Sequence, residues 1–544
     1  MSVNPSNKIL VQDIPSDAIL EFKRSLSKEA RVLSATTTDE VEAREYKEAS
    51  VWWADNSAKP AGVIVQVAEL DDIAKTINFV RIHNLDFAVR AGRHSTSGAS
   101  STNGGLLLDL KKLNKVRVDP ENKLVYAQGG ALGKDIDNEA SQHGLACVCG
   151  VVDDTGIGGL TLGGGFGYLT GRYGLMIDNL VSATIVIADG SVKHVSSTSN
   201  PDLYWGIRGG CSNLGVVYEF VYKAHDQKNK VYAGLLGFEA EKLQSVVEAC
   251  NEWFRKRTED ESVMLIIGRL PPEFKPVIIC VIFNNSDSEE LYLQRFEPFL
   301  RLPAFMNQVS LMPYQTVNTL CNNFTPYGGR KAFKSVLLSQ FSYPVISNAY
   351  KSYVSFTDAY PDAQETIIAL ECHDGRKMAT VKREDTAFGF RHNFFNLNIG
   401  QKWYKPENDL RVNEWATSIA KEFEKSRDVA GSYANFNSVF DELQDGTIDD
   451  REKRAKKVFG ENLQRMKELK KKYDPNVLFD KWVVIVYTFS SSRISSRATT
   501  FYPAGATVVV LIAIALATSF EKSKLLQYEE IHLPGNDYTY SGEF

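Results

Sequence analysis

Seven glycines fall within the twelve residues Gly156 to Gly167, in the run Thr155-Gly-Ile-Gly-Gly-Leu-Thr-Leu-Gly-Gly-Gly-Phe-Gly. Glycine loses more backbone entropy on folding than any other residue. A cluster of it marks backbone that must bend, or approach something, in ways a side chain forbids. Turn glycines come singly or in pairs between strands, so a run this dense reads as a bare wall for a flat ligand. Well upstream, Val89-Arg-Ala-Gly-Arg-His-Ser-Thr-Ser-Gly98 sets one imidazole, His94, in a second glycine loop directly after a strand-like run. Amides in such loops form anion-binding concavities without help from lysine. Together the two loops predict a large, flat, phosphate-bearing cofactor with a histidine held against it.

Two common nucleotide motifs are excluded. Gly163-Gly-Gly-Phe-Gly is not G-x-G-x-x-G, no acidic residue follows at the end of a second strand, and there is no Walker A sequence. At 544 residues the chain is too long for one core, so two or three domains are expected. A net charge of −5 without a basic stripe argues against nucleic acid as a partner. The seven cysteines are scattered and mostly lie in apolar runs, which suits a reducing compartment. Cys147-Val-Cys149 lacks the spacing of a redox or zinc pair and reads as two small buried residues, and no metal site is expected. The first residues lack the apolar core of a secretory signal, so an intracellular location is expected. Ala498 to Phe520 carries no charge and is long enough to span a bilayer, although Pro503 and Gly505 interrupt it. It reads as a membrane anchor, as an interfacial or disordered tail, or as sequence never selected to fold, such as unspliced intron.

Residues 1–58 read as a polar, helical extension. From Pro60 the pattern becomes β-α-β: a strand at Val63-Ile-Val-Gln-Val, a helix over Leu70 to His83, and a strand at Phe87-Ala-Val-Arg feeding the histidine loop. Short strands follow at Leu106–Leu110, Val116–Val118 and Leu124–Ala127, then a helix over Leu132–His143. Asp189-Gly190 is a hairpin turn. Beyond about residue 229 glycine thins out, and strand-like runs alternate with helix-like ones up to about 430, giving a second α+β domain. A single helix is expected over Arg451–Lys472. The last piece of the first domain is placed at 431–482, and an atypical tail at 483–544.

Three motifs occur in order: Arg90-Ala-Gly-Arg-His-Ser, Gly156-x-Gly-Gly-x-x-x-Gly-Gly-Gly, and Arg208-Gly-Gly-x-x-Asn-Leu-Gly-Val-Val. With the closing Tyr433-Ala-Asn-Phe and Tyr473-Asp-Pro-Asn-Val-Leu-Phe, the chain resembles the FAD-linked oxidases of the vanillyl-alcohol-oxidase-type (PCMH) fold, in particular the berberine-bridge-enzyme-like group. The resemblance runs from about Pro60 to Tyr222 and resumes from Tyr433 to Phe479. It implies an α+β protein: a two-part FAD-binding domain plus a substrate domain with an antiparallel sheet and covering helices. It implies FAD, bonded covalently through His94. Many members carry a second tether, a cysteine four residues before the first glycine of the second run. Here that position is Val152, so a single link is expected. The cofactor contacts it implies are Gly92, Arg93, His94, Ser95, Thr96, Gly98, Thr155, Gly156, Gly159, Leu160, Gly164, Val217, Asn435 and Asn462.

Oxidation at carbon needs a base for an O–H or N–H proton. The resemblance implies Tyr433 as that catalytic residue, although a tyrosine near its usual pKa of ~10 is a poor base. Glu371, His373 and Arg391, polar residues in or beside apolar runs, are read either as lining the substrate side or as satisfied buried groups. Thr386–His392 resembles a substrate-domain strand, with Phe388 and Phe390 in the core. The expected function is an FAD-dependent oxidoreductase acting on a small secondary-metabolite molecule, with molecular oxygen as acceptor. The alternatives are a carbohydrate oxidase and a flavin-binding module with little turnover. The sequence specifies neither the substrate nor the oligomeric state.

Overall fold

The β-α-β pattern folds into a four-stranded sheet whose order depends on which runs are apolar on both faces. The computed structural model describes residues 8–425, 429–431, 433–436, 447–483 and 485, all within one compact unit. Strands β1 (Arg31–Ser34), β2 (Val63–Gln66), β3 (Phe87–Arg90) and β4 (Leu106–Asp109) align in the order β1-β2-β4-β3. β4, all Leu-Leu-Leu-Asp and buried throughout, takes the centre, with β2 and β3 parallel on either side of it. The helix Leu70–His83 crosses over, burying Ile73, Ile77 and Val80 against Leu108 and Phe87. Each such side chain contributes about 1.5–3 kcal/mol of burial. The expectation of a wholly helical N-terminal stretch is corrected at β1. Val32 and Leu33 are buried there, and the strand pairs antiparallel with β2, which covers that sheet edge.

A second, antiparallel sheet joins β5 (Val116–Asp119), β6 (Leu124–Gln128), β7 (Leu180–Val186), β8 (Val192–Ser196) and β9 (Val216–Lys223) in the order β5-β6-β9-β7-β8. The Asp189-Gly190 turn connects β7 to β8 as read from sequence. β9 lies between β6 and β7, which puts Val217 in the middle of this layer.

The third sheet is antiparallel and built mainly from β10 (Val231–Glu239), β11 (Glu261–Leu270), β12 (Lys275–Asn284), β13 (Arg330–Leu338), β14 (Ile367–His373) and β15 (Phe395–Trp403), ordered β10-β12-β11-β14-β15-β13. Side chains alternate between its faces. Leu265, Ile278, Leu370 and Leu397 meet helices carrying Trp253, Phe296, Tyr353 and Ala416. Met264, Ile266 and Ala369 face the other way, into the core of the glycine-rich part. Thr386–His392 is not a strand, because its backbone is committed elsewhere. Ala387 and Phe388 donate their N–H groups to Trp205 and Arg208, and β15 starts only at Phe395.

After residue 431 the chain returns to the first part. The helix expected over Arg451–Lys472 is two, Ile448–Phe459 and Leu463–Tyr473, broken where Gly460 takes φ +55°. The second is tied down by Lys470, wholly buried, which donates to Asp474 Oδ2 at 2.6 Å, Phe479 O at 2.6 Å and Asn213 O at 2.8 Å. Removing one partner of a buried pair strands the other charge. Lys470→Met is therefore expected to destabilise the protein by about 3–5 kcal/mol, read as a lower denaturation midpoint in urea; an unchanged midpoint would contradict this role. Among the described residues no helix is long and apolar enough to cross a membrane, and the run 498–520 lies outside them.

Candidate active site

The two glycine loops press directly on each other. A Cβ on Gly92 would lie 2.2 Å from Gly156 N, and one on Gly156 would lie 2.4 Å from Gly92 N. No rotamer relieves a backbone overlap of that size, so neither loop can take its shape without glycine in the other. Arg90, at the end of β3, anchors the first loop. It is fully buried and paired with fully buried Asp109 at 2.7 Å. Burial opposes ionisation of Asp109, but the Arg90 guanidinium outweighs it and holds the carboxyl below its ordinary value. Arg90 is thus a structural anchor beneath the loop.

Between these loops and the inner face of the third sheet runs a cavity lined by both glycine loops and by residues of that sheet. Of the residues expected at the cofactor, Gly92, Arg93, His94, Ser95, Thr155, Gly156, Gly159, Leu160, Val217 and Asn435 line it, as does Tyr433. Four do not. Thr96 is buried behind the loop, and Gly98 turns it, its carbonyl accepting from Ser101 N–H and Oγ–H. Gly164 sits behind the wall against Phe388 and Tyr433. Asn462 is corrected: its Nδ2 donates to Arg383 O and Thr386 O at 3.0 Å each, fastening the 383–386 segment. Val152, at the second-tether position, is on the wall.

His94 is clamped. Its ring stacks on Trp53 at 4.9 Å and meets the edge of Tyr327 at 6.1 Å. Asp154 Oδ1 approaches His94 Nε2 to 2.9 Å, and neither atom has another hydrogen-bond partner among the described residues. Burial works against the Asp154 carboxylate, but His94 and then Lys134 outweigh it and hold the carboxyl below its ordinary value.

The polar groups on the sheet side form one network. Tyr433 N–H donates to Ser335 Oγ at 3.1 Å, Ser335 Oγ–H to Asn396 Oδ1 at 2.7 Å, and Asn396 Nδ2 to Glu371 Oε2 at 3.2 Å. Glu371 and Asn398 line the cavity. Burial pushes the Glu371 carboxyl up to about 7, against the hydrogen bonds from Asn396 and Asn398. The Tyr433 hydroxyl oxygen accepts from Gly165 N at 3.1 Å and Asn435 Nδ2 at 2.9 Å. Burial drives that phenol further above its ordinary value. With both lone pairs of the neutral phenol engaged and burial opposing its ionisation, Tyr433 as it stands has a proton to offer, whereas the role of base expected for it requires the phenolate.

His373 and Arg391 are not on the wall. His373 is buried edge-on to Tyr168 at 6.1 Å, and burial pushes it down to about 4, so it is neutral. Arg391 pairs with Asp178 at 2.8 Å and donates to Thr386 Oγ1 at 2.7 Å. Arg391 is thus tied into the structure, while both ring nitrogens of His373 are buried without a partner among the described residues. Phe388 is core, as expected, and Phe390 packs against the same cluster. The residues missed from sequence include Trp53, Asp154, Phe333, Asn396 and Asn398. Trp53 stacks on both His94 and Phe333, and its Nε1 donates to Thr325 O at 2.7 Å, so it bridges segments far apart in the chain. Nothing local in the sequence marks it.

The residues present fit FAD on two further observations. A Cβ on Gly159 would meet nothing within 4 Å, so this wall has been left bare toward open space. Asn398 Oδ1 and Asn435 Oδ1 are buried without a partner among the described residues, the condition of acceptors reserved for a ligand. Residues 61–196 match the family model described as FAD binding domain, and residues 432–481 match that described as berberine and berberine like. The FAD-linked oxidoreductase pgmH of Aspergillus terreus is 33% identical over 473 residues, spanning 82% of this chain and 92% of that protein. The crystal structure of 6-hydroxy-D-nicotine oxidase from Arthrobacter nicotinovorans has a TM-score of 0.73 at 20% identity, covering 84% of this chain and 98% of that one. Glucooligosaccharide oxidase from Acremonium strictum, described with a 6-S-cysteinyl, 8α-N1-histidyl FAD, has a TM-score of 0.71 at 21% identity, covering 86% and 98%. This chain belongs to the FAD-linked oxidoreductases with a berberine-bridge-enzyme-like C-terminal segment. Its cofactor is FAD.

Proposed function

We propose that this protein oxidises a small, largely apolar, aromatic or ring-bearing alcohol or amine of secondary metabolism, with molecular oxygen as the electron acceptor. FAD, when bound, supplies hydride acceptance. His94 would hold it through a single covalent link, Val152 standing where a second would attach. Gly92, Arg93, Ser95, Thr155, Gly156, Gly159, Leu160 and Val217 would cradle it, and Asn435 would contact it.

One observation carries the reading of the substrate side. Glu371 is the one carboxyl group among the described residues lining the cavity, set beside Asn398 among Met264, Ile266, Ala369 and Phe333, and burial pushes its pKa up to about 7. A general base works best when its pKa lies near the working pH. Glu371 would take the proton from the substrate O–H or N–H, with Asn396 holding its carboxylate. Tyr433 would donate a hydrogen bond, and Asn398 Oδ1 would accept one. An oligosaccharide would leave many hydroxyls unpaired against such a wall, each at a cost of about 1–3 kcal/mol, so the carbohydrate-oxidase reading is disfavoured. The base also argues against a binding module without turnover.

The test is a panel of phenolic alcohols, cyclic amines and oligosaccharides, with peroxide release and anaerobic bleaching of the flavin band recorded. Bleaching by an aromatic alcohol or amine is expected. Turnover of oligosaccharides alone, or of nothing in a broad panel, would contradict the proposal.

A further inference from the structure

Asp154 has no part in the reaction above, yet it is the charged group closest to the clamped imidazole. Its Oδ1 lies 2.9 Å from His94 Nε2, and both atoms are buried. The pair is not an accident of the surface. Asp154 sits two residues before Gly156, inside the second glycine run, and His94 two residues after Gly92. The Gly92–Gly156 backbone contact that locks the loops together therefore also fixes the distance between carboxylate and ring. Trp53, stacked at 4.9 Å, removes the ring's freedom to swing away.

We infer that Asp154 is the positioning residue for formation of the His94–flavin bond. This rests on the reading of His94 as the tether. Which imidazole nitrogen carries the proton is set by what the other nitrogen faces. A carboxylate at Nε2 favours the proton there and leaves the lone pair on Nδ1. His94 Nδ1 then forms a bond to the flavin 8α carbon while one C–H bond of that methyl group breaks, its proton passing to solvent. The imidazole becomes positively charged as the bond forms, and Asp154 compensates that charge in a partly desolvated site, where compensation counts for more than in water. The ring returns to neutral by losing the Nε2 proton. The two electrons released stay in the isoalloxazine ring and pass to dioxygen, giving peroxide. After the bond has formed Asp154 is not needed for catalysis, which separates this role from that of Glu371.

The test compares purified wild type, Asp154→Asn and His94→Ala for total flavin per chain and for the fraction that stays with the polypeptide after acid precipitation. Asp154→Asn is expected to bind FAD at wild-type stoichiometry while its covalent fraction, sampled over time after purification, rises at least tenfold more slowly. Asp154→Glu, which restores the carboxylate, is expected to recover part of the rate. Asp154→Ser serves the same purpose if the amide variant is insoluble. A covalent fraction and rate equal to wild type in Asp154→Asn, or a loss of total flavin in parallel with the covalent fraction, would overturn the inference. Flavin released completely from wild type would instead overturn the His94 reading beneath it.

Discussion

Gly92→Ala is expected to yield no soluble flavoprotein. The added methyl carbon would sit 2.2 Å from Gly156 N and 2.4 Å from Gly156 Cα, contacts that only backbone movement can relieve. That movement would have to pass through Arg90 and Asp109, a fully buried ion pair at the base of the same loop. Overpacking of this kind, with no flexible side chain to yield, belongs with the largest single-residue effects, at more than about 4 kcal/mol. Soluble yield and thermal denaturation check it. Gly159→Ala is the control with opposite expectations. Its Cβ meets nothing, and alanine suits the helix better than glycine by about 0.8–1.0 kcal/mol, so the apoprotein should fold at least as well as wild type. The methyl would occupy the bare wall, however, and flavin content should fall. A Gly159→Ala protein with full flavin content would mean that this wall does not face the cofactor.

The second large effect concerns the base. Glu371→Gln keeps the shape of the side chain and its place beside Asn396 but cannot accept a proton. Loss of a general base costs about 10²–10⁴-fold in rate, so kcat should fall by that range with KM changed little and flavin content unchanged. In wild type kcat/KM should fall as pH drops through about 7, because only the ionised carboxylate can act, and the variant should lack that limb. The same group has a signature in stability. Its pKa is raised from 4.5 to about 7, so the native state holds a proton that the unfolded chain gives up. Stability therefore declines as pH rises across that window, and Glu371→Gln should lose that slope. Tyr433→Phe separates the two candidates. It leaves Gly165 N and Asn435 Nδ2 without their acceptor, at about 1–3 kcal/mol, but should retain the pH limb. A larger kcat loss in Tyr433→Phe than in Glu371→Gln would return the proton-accepting role to the tyrosine.

The cofactor side of this site was far more legible in the sequence than the substrate side, for a physical reason. Where the ligand needs bare backbone, the requirement appears as glycine: the two dense loops marked a cofactor wall, and the family resemblance then implied Gly92, Gly156 and Gly159 as contacts. Where a wall is built from side chains of several strands, polar residues in apolar runs look alike until register is known. Glu371 and His373 are two residues apart on β14 and share a face, yet the first reaches the cavity and the second ends against Tyr168. Asn462 was misread because ties between distant segments use the same residue types as ligand contacts. β1 was missed because four residues between two polar helices carry little period, and its partner β2 lies some thirty positions away. Trp53 reaches His94 only through the fold.

The most direct measurement is the fate of the flavin when the purified wild-type protein is unfolded in acid. One flavin per chain should precipitate with the polypeptide, and its mass should map to the peptide bearing His94 and to no other; His94→Ala should release all of its flavin to the supernatant. A wild-type protein that is colourless, or that gives up its flavin on unfolding, would contradict the central claim.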